Sequence, residues 1–403
     1  MLRNKNVWIL MTGEFIANLG LWFGIIGNLE FLQKLVPSDF HKSLILFVGM
    51  FVGVLVGPMA GRIIDQTPKK KIMIYSGLLR ILSVFAMFIA IWTQDVIWMS
   101  VYMVAIGLSA AFYFPALQAA IPLIAKDHEL ITLNGVHMNV GTIARIIGTA
   151  LAGILLLYLS LFMIYFLTMI TYIVLFVCTL MLTIDEEIDT TKTKEKSKKK
   201  NAGFKEVWPI IKSATPVWMG LILMLIPTMF IGSFNLMVLK ISELQGDPTI
   251  KGWLYTTEGI SFMIGAFIIK RVSFQKNPVK ILLACSFAIA VSHVSLFFGD
   301  MKIPSILSFG LFGIAAGAFF PVAATMFQTM IEKEYHGRFF SFRGMMDRVL
   351  FQIILVSAGF FLDTIGFKNM VLLFGGLSLL LVITFLLSFS KMMHTEKKES
   401  KSA

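Results

Sequence analysis

Ionisable side chains are scarce in the apolar stretches of this chain, and those that fall inside them are the first candidates for chemistry. Glu14 shares one such stretch with Asn18 and Asn28. At roughly 100° per residue the two asparagines sit about 40° to either side of Glu14 on a helix, so the three form one polar stripe expected to face a cavity. Glu30 lies nearly opposite and close to the end of the run, where snorkelling to the polar interface is expected to suffice. A carboxyl group in a dehydrated setting binds and releases a proton according to its surroundings. Glu14 therefore reads either as a proton carrier or as a structural ion-pair partner. Glu258 is the second acid of this kind. Arg343 and Asp347, spaced i, i+4, can pair along one helix face, and Asp347 is the third proton-coupling candidate beside that plainer structural role. Arg80 and Arg145 keep their charge at any accessible pH, balancing buried acids or attracting an anionic substrate. His137 and His293 can titrate near neutrality, but lone histidines in such stretches are usually bonded to a neighbour, and that is expected here.

Several chemistries are not encoded. Cys178 and Cys285 belong to no CxxC and no metal-ligand spacing, so both read as small buried apolar residues, with no metal expected. No Gly-x4-Gly-Lys-Ser/Thr phosphate loop occurs, so neither ATP nor any other cofactor is expected. An enzyme acting on lipid-linked substrates would carry its acid or base on a substantial polar loop, and the loops are short apart from one lysine-rich linker. No enzyme is expected on that ground, although a membrane-embedded transferase and a non-transporting sensor stay as alternatives of a different class.

The elements that position these residues are long apolar helices. The 403 residues are 57% hydrophobic and 14% charged, with a mean hydropathy of +0.82, where soluble domains run nearer a quarter charged. Residues 43–61, 96–125, 146–184, 213–239 and 303–331 contain no Asp, Glu, Lys or Arg. A membrane span needs about 20 apolar residues, so the longest of these runs hold parts of two helices. Twelve spans are expected, near residues 7–32, 43–64, 72–92, 96–122, 135–158, 161–184, 217–239, 252–269, 279–299, 303–326, 338–362 and 369–390. Of the 35 Lys and Arg, only Lys34, Lys42, Lys240, Lys251, Lys302 and Lys368 then fall outside, and Arg80, Arg145 and Arg348 fall within spans. That asymmetry places both termini in the cytoplasm of a cell-membrane protein. It also accounts for the net charge of +12 without a nucleic-acid partner. The opening residues 1–6 are too short for a cleavable signal, so the first helix reads as a retained span.

The chain divides into a first six-helix bundle (1–184), a cytoplasmic linker (185–216), a second bundle (217–391) and a cytoplasmic tail (392–403). The linker turns from acidic to lysine-rich and then amphipathic over 204–211, as a helix lying on an anionic leaflet would. The tail from His394 reads as a charged, unstructured end. The two bundles are related. Residues 107–115 (GLSAAFYFP) align without gaps on 313–321 (GIAAGAFFP), and Arg145 falls opposite Arg348. Pro115 and Pro321 bend the fourth helix of each half, while Gly and Ala allow close helix contact.

Between the second and third spans stands Gly61-Arg62-Ile63-Ile64-Asp65-Gln66-Thr67-Pro68-Lys69-Lys70-Lys71. It resembles the loop signature of the major facilitator superfamily, with Gln66 and Pro68 standing where the family pattern has Arg and Gly. Phe114-Pro115-Ala116-Leu117-Gln118-Ala119-Ala120-Ile121-Pro122 is similar to the fourth-span signature of that superfamily's drug:proton antiporter-3 group, which includes macrolide efflux proteins and siderophore exporters. Thr12-Gly13-Glu14, Asn18-Leu19-Gly20, Leu79-Arg80 and Gly337-Arg338-Phe339-Phe340-Ser341 extend the likeness over nearly the whole chain. The resemblance implies an all-α fold of twelve transmembrane helices in two pseudo-symmetric six-helix bundles. The activity it implies is proton-coupled export of amphipathic small molecules, of the macrolide or multidrug type, by a monomer in the bacterial cytoplasmic membrane. Its partners are then protons, the substrate and the lipid bilayer. Siderophore or lysophospholipid transport and uptake are the rivals within transport. The same resemblance makes Gly61, Asp65, Lys69, Lys70, Gly337 and Arg338 conformational-switch candidates. Asn18, Asn28, Arg80, Arg145 and Gln118 become candidates for the cavity lining. Gly148 and Gly153 sit where exporters carry a Gly-Pro…Gly motif, but Thr149 replaces the proline, which leaves the direction of transport open.

Overall fold

The computed structural model describes residues 4–124, 130–184, 215–271, 278–332 and 336–402, and among these the chain is helical with no strand. The first six helices are α1 (Lys5–Leu35), α2 (Asp39–Gln66), α3 (Lys69–Thr93), α4 (Val96–Ile124), α5 (Leu130–Tyr158) and α6 (Leu161–Met181). They are followed by α7 (Thr215–Gln245), α8 (Ile250–Arg271), α9 (Pro278–Ser295) and α10 (Lys302–Met330). The last helical stretch, His336–Ser402, is divided at Gly366, whose φ of 78° no other residue adopts cheaply. Its two parts are α11 (336–365) and α12 (367–402). Each expected span coincides with one of these twelve helices. All are long and apolar enough to cross a membrane, the last two as parts of one continuous stretch.

Local chemistry sets the ends. Ser38 and Ser160 accept from the backbone N–H groups of His41 and Met163, the N-cap bonds that begin α2 and α6. Gln94 and Gly246 take left-handed conformations that stop α3 and α7. Pro227 has no N–H to give the carbonyl of Leu223, and α7 is interrupted beside it, at Met224. The expected unstructured tail is instead a continuation of α12 to Ser402. The amphipathic segment 204–211 lies outside the described residues.

Contacts divide the protein into two units. The first takes α1–α6 together with Asp247–Thr256, the first turns of α8; the second takes α7 and everything from Thr257 onward. The linear division at the linker does not contain that exchange of a ten-residue segment. The first unit's core gathers Val7, Leu10, Ala17, Met73, Tyr113, Leu117, Ile121 and Leu175 from α1, α3, α4 and α6. The second is built on phenylalanine: Phe230 stacks on Phe312 with centroids 3.8 Å apart, and Phe309 and Phe234 meet edge-on beside it.

The repeated motif does the same mechanical work in each unit. Gly107 of α4 lies against the backbone of Gly49 in α2, with no room for a Cβ. Its counterpart Gly313 of α10 lies against α8, where a Cβ would come 2.5 Å from the carbonyl oxygen of Glu258. Small residues at equivalent positions thus let two helix pairs approach backbone to backbone.

Candidate functional site

Several polar residues of the first unit converge on Glu14, in the third turn of α1 and only 2% exposed. Its Oε1 accepts a 2.5 Å hydrogen bond from the Tyr113 hydroxyl of α4. That length is typical of a charge-assisted O–H···O⁻ bond. Its Oε2 faces His137 Nε2 of α5 at 3.6 Å and Asn18 Nδ2, one turn along α1, at 3.5 Å. The Asn18 amide also donates to the Glu14 carbonyl at 2.7 Å, which fixes its rotamer.

Arg80 of α3, 6% exposed, completes the cluster from the other side of Tyr113. Its guanidinium lies 4.5 Å over the Tyr113 ring, with Phe114 at 5.5 Å and Tyr172 at 5.8 Å. A cation over an aromatic face is held by the ring's quadrupole. It also draws electron density from the phenol, strengthening the hydroxyl as a donor to Glu14. Arg80 Nε donates to Ser109 Oγ at 3.2 Å, and that hydroxyl donates to the Ser76 carbonyl at 2.9 Å. Ser109 and Tyr113 are four residues apart on α4, so one helix face serves both charges. Each charge costs at least about 2.5 kcal/mol to place in a membrane, and here the two compensate through a shared tyrosine.

The expected stripe on α1 divides. Glu14 and Asn18 stay together, but Asn28 accepts from the Tyr165 hydroxyl at 2.5 Å and donates to Met103 Sδ at 3.3 Å, bonding α6 and α4 instead. Of the other cavity-lining candidates, Gln118 is exposed, while Arg145 is half-buried with its guanidinium 6.0 Å from the Trp22 ring. Thr149 keeps the backbone N–H that a proline would lack. Its hydroxyl donates at 2.9 Å to the Arg145 carbonyl, the group a proline at 149 would leave without a backbone donor. Gly148 packs on Leu19 and Trp22 of α1, and Gly153 on Gly252 of α8.

Glu30 is not a snorkelling surface acid. It is buried, with Oε2 2.6 Å from the Nζ of Lys251 and Oε1 3.2 Å from Lys34. Lys251, expected as an outer-loop cation, is 1% exposed and ties the first turn of α8 to the end of α1. Lys42, another expected outer cation, is likewise buried and sits 2.8 Å from Asp39.

In the second unit Glu258 is buried and held by its neighbours. Arg343 Nε and Asp347 Oδ2 lie 3.5 Å apart on α11. His293 departs from expectation. It is fully buried, and neither ring nitrogen has a hydrogen-bond partner among the described residues. Phe230 and Phe374 surround it at 5.1 and 5.9 Å. Among the switch candidates, Lys70 donates to the Leu180 carbonyl at the end of α6, Lys69 donates to the Thr67 carbonyl at 3.4 Å, and Gly61 is exposed. Asp65 lies in the last turn of α2, and Gly337 and Arg338 in the first turn of α11; the side chains of Asp65 and Arg338 lie outside the described residues. No cluster of His, Cys, Asp and Glu able to hold a metal occurs among the described residues.

Sequence reasoning missed Tyr113, Ser109 and the engagement of His137. The repeat held the signal for two of them. Where the first copy has Ser109 and Tyr113, the second has Ala315 and Phe319. Polar substitutions on one face of otherwise apolar matching helices mark the copy that serves Glu14 and Arg80.

The chain is 21% identical over 398 residues to macrolide efflux protein A of Streptococcus pyogenes, a match covering 95% of each. Among solved structures, it is similar to a mutant of the nucleoside transporter NupG, with a TM-score of 0.76 and 14% identity over 96% of this chain and 100% of that one. It is also similar to a bacterial homologue of the iron transporter ferroportin, solved in an inward-facing state, with a TM-score of 0.73 and 12% identity over 95% and 98%. The family model for the Major Facilitator Superfamily matches residues 10–242 and 228–403. With helices long and apolar enough to cross a membrane and a repeated helix-packing motif among the described residues, these matches establish that the chain is a membrane transporter belonging to the major facilitator superfamily.

Proposed function

We propose that the chain is a proton-coupled exporter of amphipathic small molecules, macrolides among them, with Glu14 as the acid that carries the proton. The observation that supports this reading most directly is a buried carboxylate engaged by a tyrosine, a histidine and an asparagine while an arginine balances it through the tyrosine ring. Such an acid is held in one geometry by groups on four helices, so its proton affinity depends on how those helices are arranged. A site of that kind links proton binding to the conformational state of the carrier. The 21% identity to a macrolide efflux protein supports the substrate class and the outward direction. The concentration of Lys and Arg on one side of the spans supports a cytoplasmic location for both termini. A cysteine placed at Ser38, in a background lacking Cys178 and Cys285, should then label only from outside.

The test uses purified protein in liposomes with an imposed pH gradient and labelled erythromycin as probe. Wild type should accumulate the probe against its gradient. Glu14→Gln should still bind it but lose uphill movement, while Glu258→Gln should pump. Loss in Glu258→Gln with intact pumping by Glu14→Gln would move the proton site to α8. Normal pumping by both variants would end this reading.

A further inference from the structure

We propose that His137 holds the same transported proton in alternation with Glu14, the two forming one proton-sharing pair; this inference rests on the reading of Glu14 given above. Among the groups placed at or near the carboxylate, one is arranged to pass a proton to it. Asn18 on α1 does not titrate. Arg80 on α3 keeps its protons at any accessible pH. Tyr113 on α4 is completely buried and already donates to Oε1. Cys178 on α6 lies against Gly13. His137 on α5 faces the other oxygen, Oε2, with Nε2 at 3.6 Å. Its side chain is 17% exposed against 3% for Glu14, so of the two it is the less buried.

The geometry gives a balanced step. A protonated imidazole passes the proton on Nε2 to Glu14 Oε2, breaking N–H and forming O–H. The products are a neutral imidazole with its remaining proton on Nδ1 and a neutral carboxylic acid. The reverse step restores the ion pair, and no electron changes hands. The separation exceeds transfer distance, but a shift of about half an ångström completes the contact. Because Arg80 supplies a fixed positive charge beside Tyr113, the ionised Glu14 is compensated while His137 is neutral. Adding one proton then takes the pair from a net charge of −1 to zero, and that proton can sit on either side chain.

The experiment needs no substrate. Infrared difference titration of the purified full-length protein follows the carboxylic acid carbonyl band of Glu14, identified by its loss in Glu14→Gln. In both His137→Gln and His137→Asn the midpoint of that band should move by about one pH unit or more. The imidazole bands of wild type should likewise change their titration in Glu14→Gln. Two replacements of different length guard against a packing defect in either one. A Glu14 band with an unmoved midpoint in both variants would overturn the pairing and leave Glu14 as the sole carrier. A wild-type spectrum with no titrating band that depends on Glu14 would overturn the reading of Glu14 itself.

Discussion

Removing one member of the Glu30–Lys251 pair should destabilise the protein, and removing both should not. Lys251 is 1% exposed and its ammonium lies 2.6 Å from Glu30 Oε2. Breaking a buried pair from one side generally costs about 3–5 kcal/mol, because a desolvated charge loses its compensation, while apolar replacement of both members is near neutral. The two single variants should not be equal. Lys251→Met leaves Glu30 beside Lys34 at 3.2 Å, and the Lys34 side chain is 60% exposed. That remaining partner should hold the loss to about 1–3 kcal/mol. Glu30→Gln takes the shared carboxylate from both lysines at once, and should cost more, about 2–4 kcal/mol. The double variant Glu30→Met with Lys251→Met should return to within about 1 kcal/mol of wild type. The assay is equilibrium unfolding in detergent, read by exposure of Cys178 and Cys285 to a thiol-reactive dye. Repeating it at high salt should leave the ordering unchanged, as a pair this buried is weakly screened. Single-variant losses that simply add in the double variant would refute the reasoning, as would two singles indistinguishable from wild type.

Three further outcomes are expected. Tyr113→Phe removes the shortest bond to Glu14, and a bond to a charged group is worth about 1.5–3 kcal/mol, so pH-driven accumulation of erythromycin should fall about tenfold or more while binding persists; unaltered accumulation would mean the bond is idle. His293→Leu deletes two buried nitrogens without hydrogen-bond partners, so unfolding midpoints should stay level or rise, by up to about 1 kcal/mol in stability; a clear loss would show that the aromatic surround needs the imidazole. Asp65→Asn, at the acid of the loop motif, should slow turnover with affinity changed by no more than a few fold, and a normal rate in correctly inserted protein would remove Asp65 from the switch.

Sequence reading located the helices because membrane spans announce themselves one at a time, through uninterrupted apolar runs that need no knowledge of neighbours. Glu14 and Arg80 were legible for the same reason, since a charge inside such a run stands out. What could not be read was which helix faces which. Whether Asn28 joins Glu14 or turns to Tyr165 depends on the rotation of α6 and α4 against α1, and no periodicity on α1 alone contains it. Glu30 and Lys251 are 221 positions apart, and hydropathy assigned each to an interface rather than to the other. His293 illustrates the opposite error: its polarity invited a partner, while packing gave it only rings.

The matched motifs at 107–115 and 313–321 also bear on how such a chain arises. A homodimer of half-length chains would present every residue twice, and each intramembrane charge would have to be inserted in both copies. Joining two copies into one gene breaks that obligation. The glycines that seat α4 and α10 against their neighbours are retained on both sides, since each copy must still pack. Ser109 and Tyr113 are present in one copy and answered by Ala315 and Phe319 in the other. A fused transporter can thus keep this cluster single while its scaffold stays double, with Ala315 and Phe319 free to change without disturbing Glu14 and Arg80.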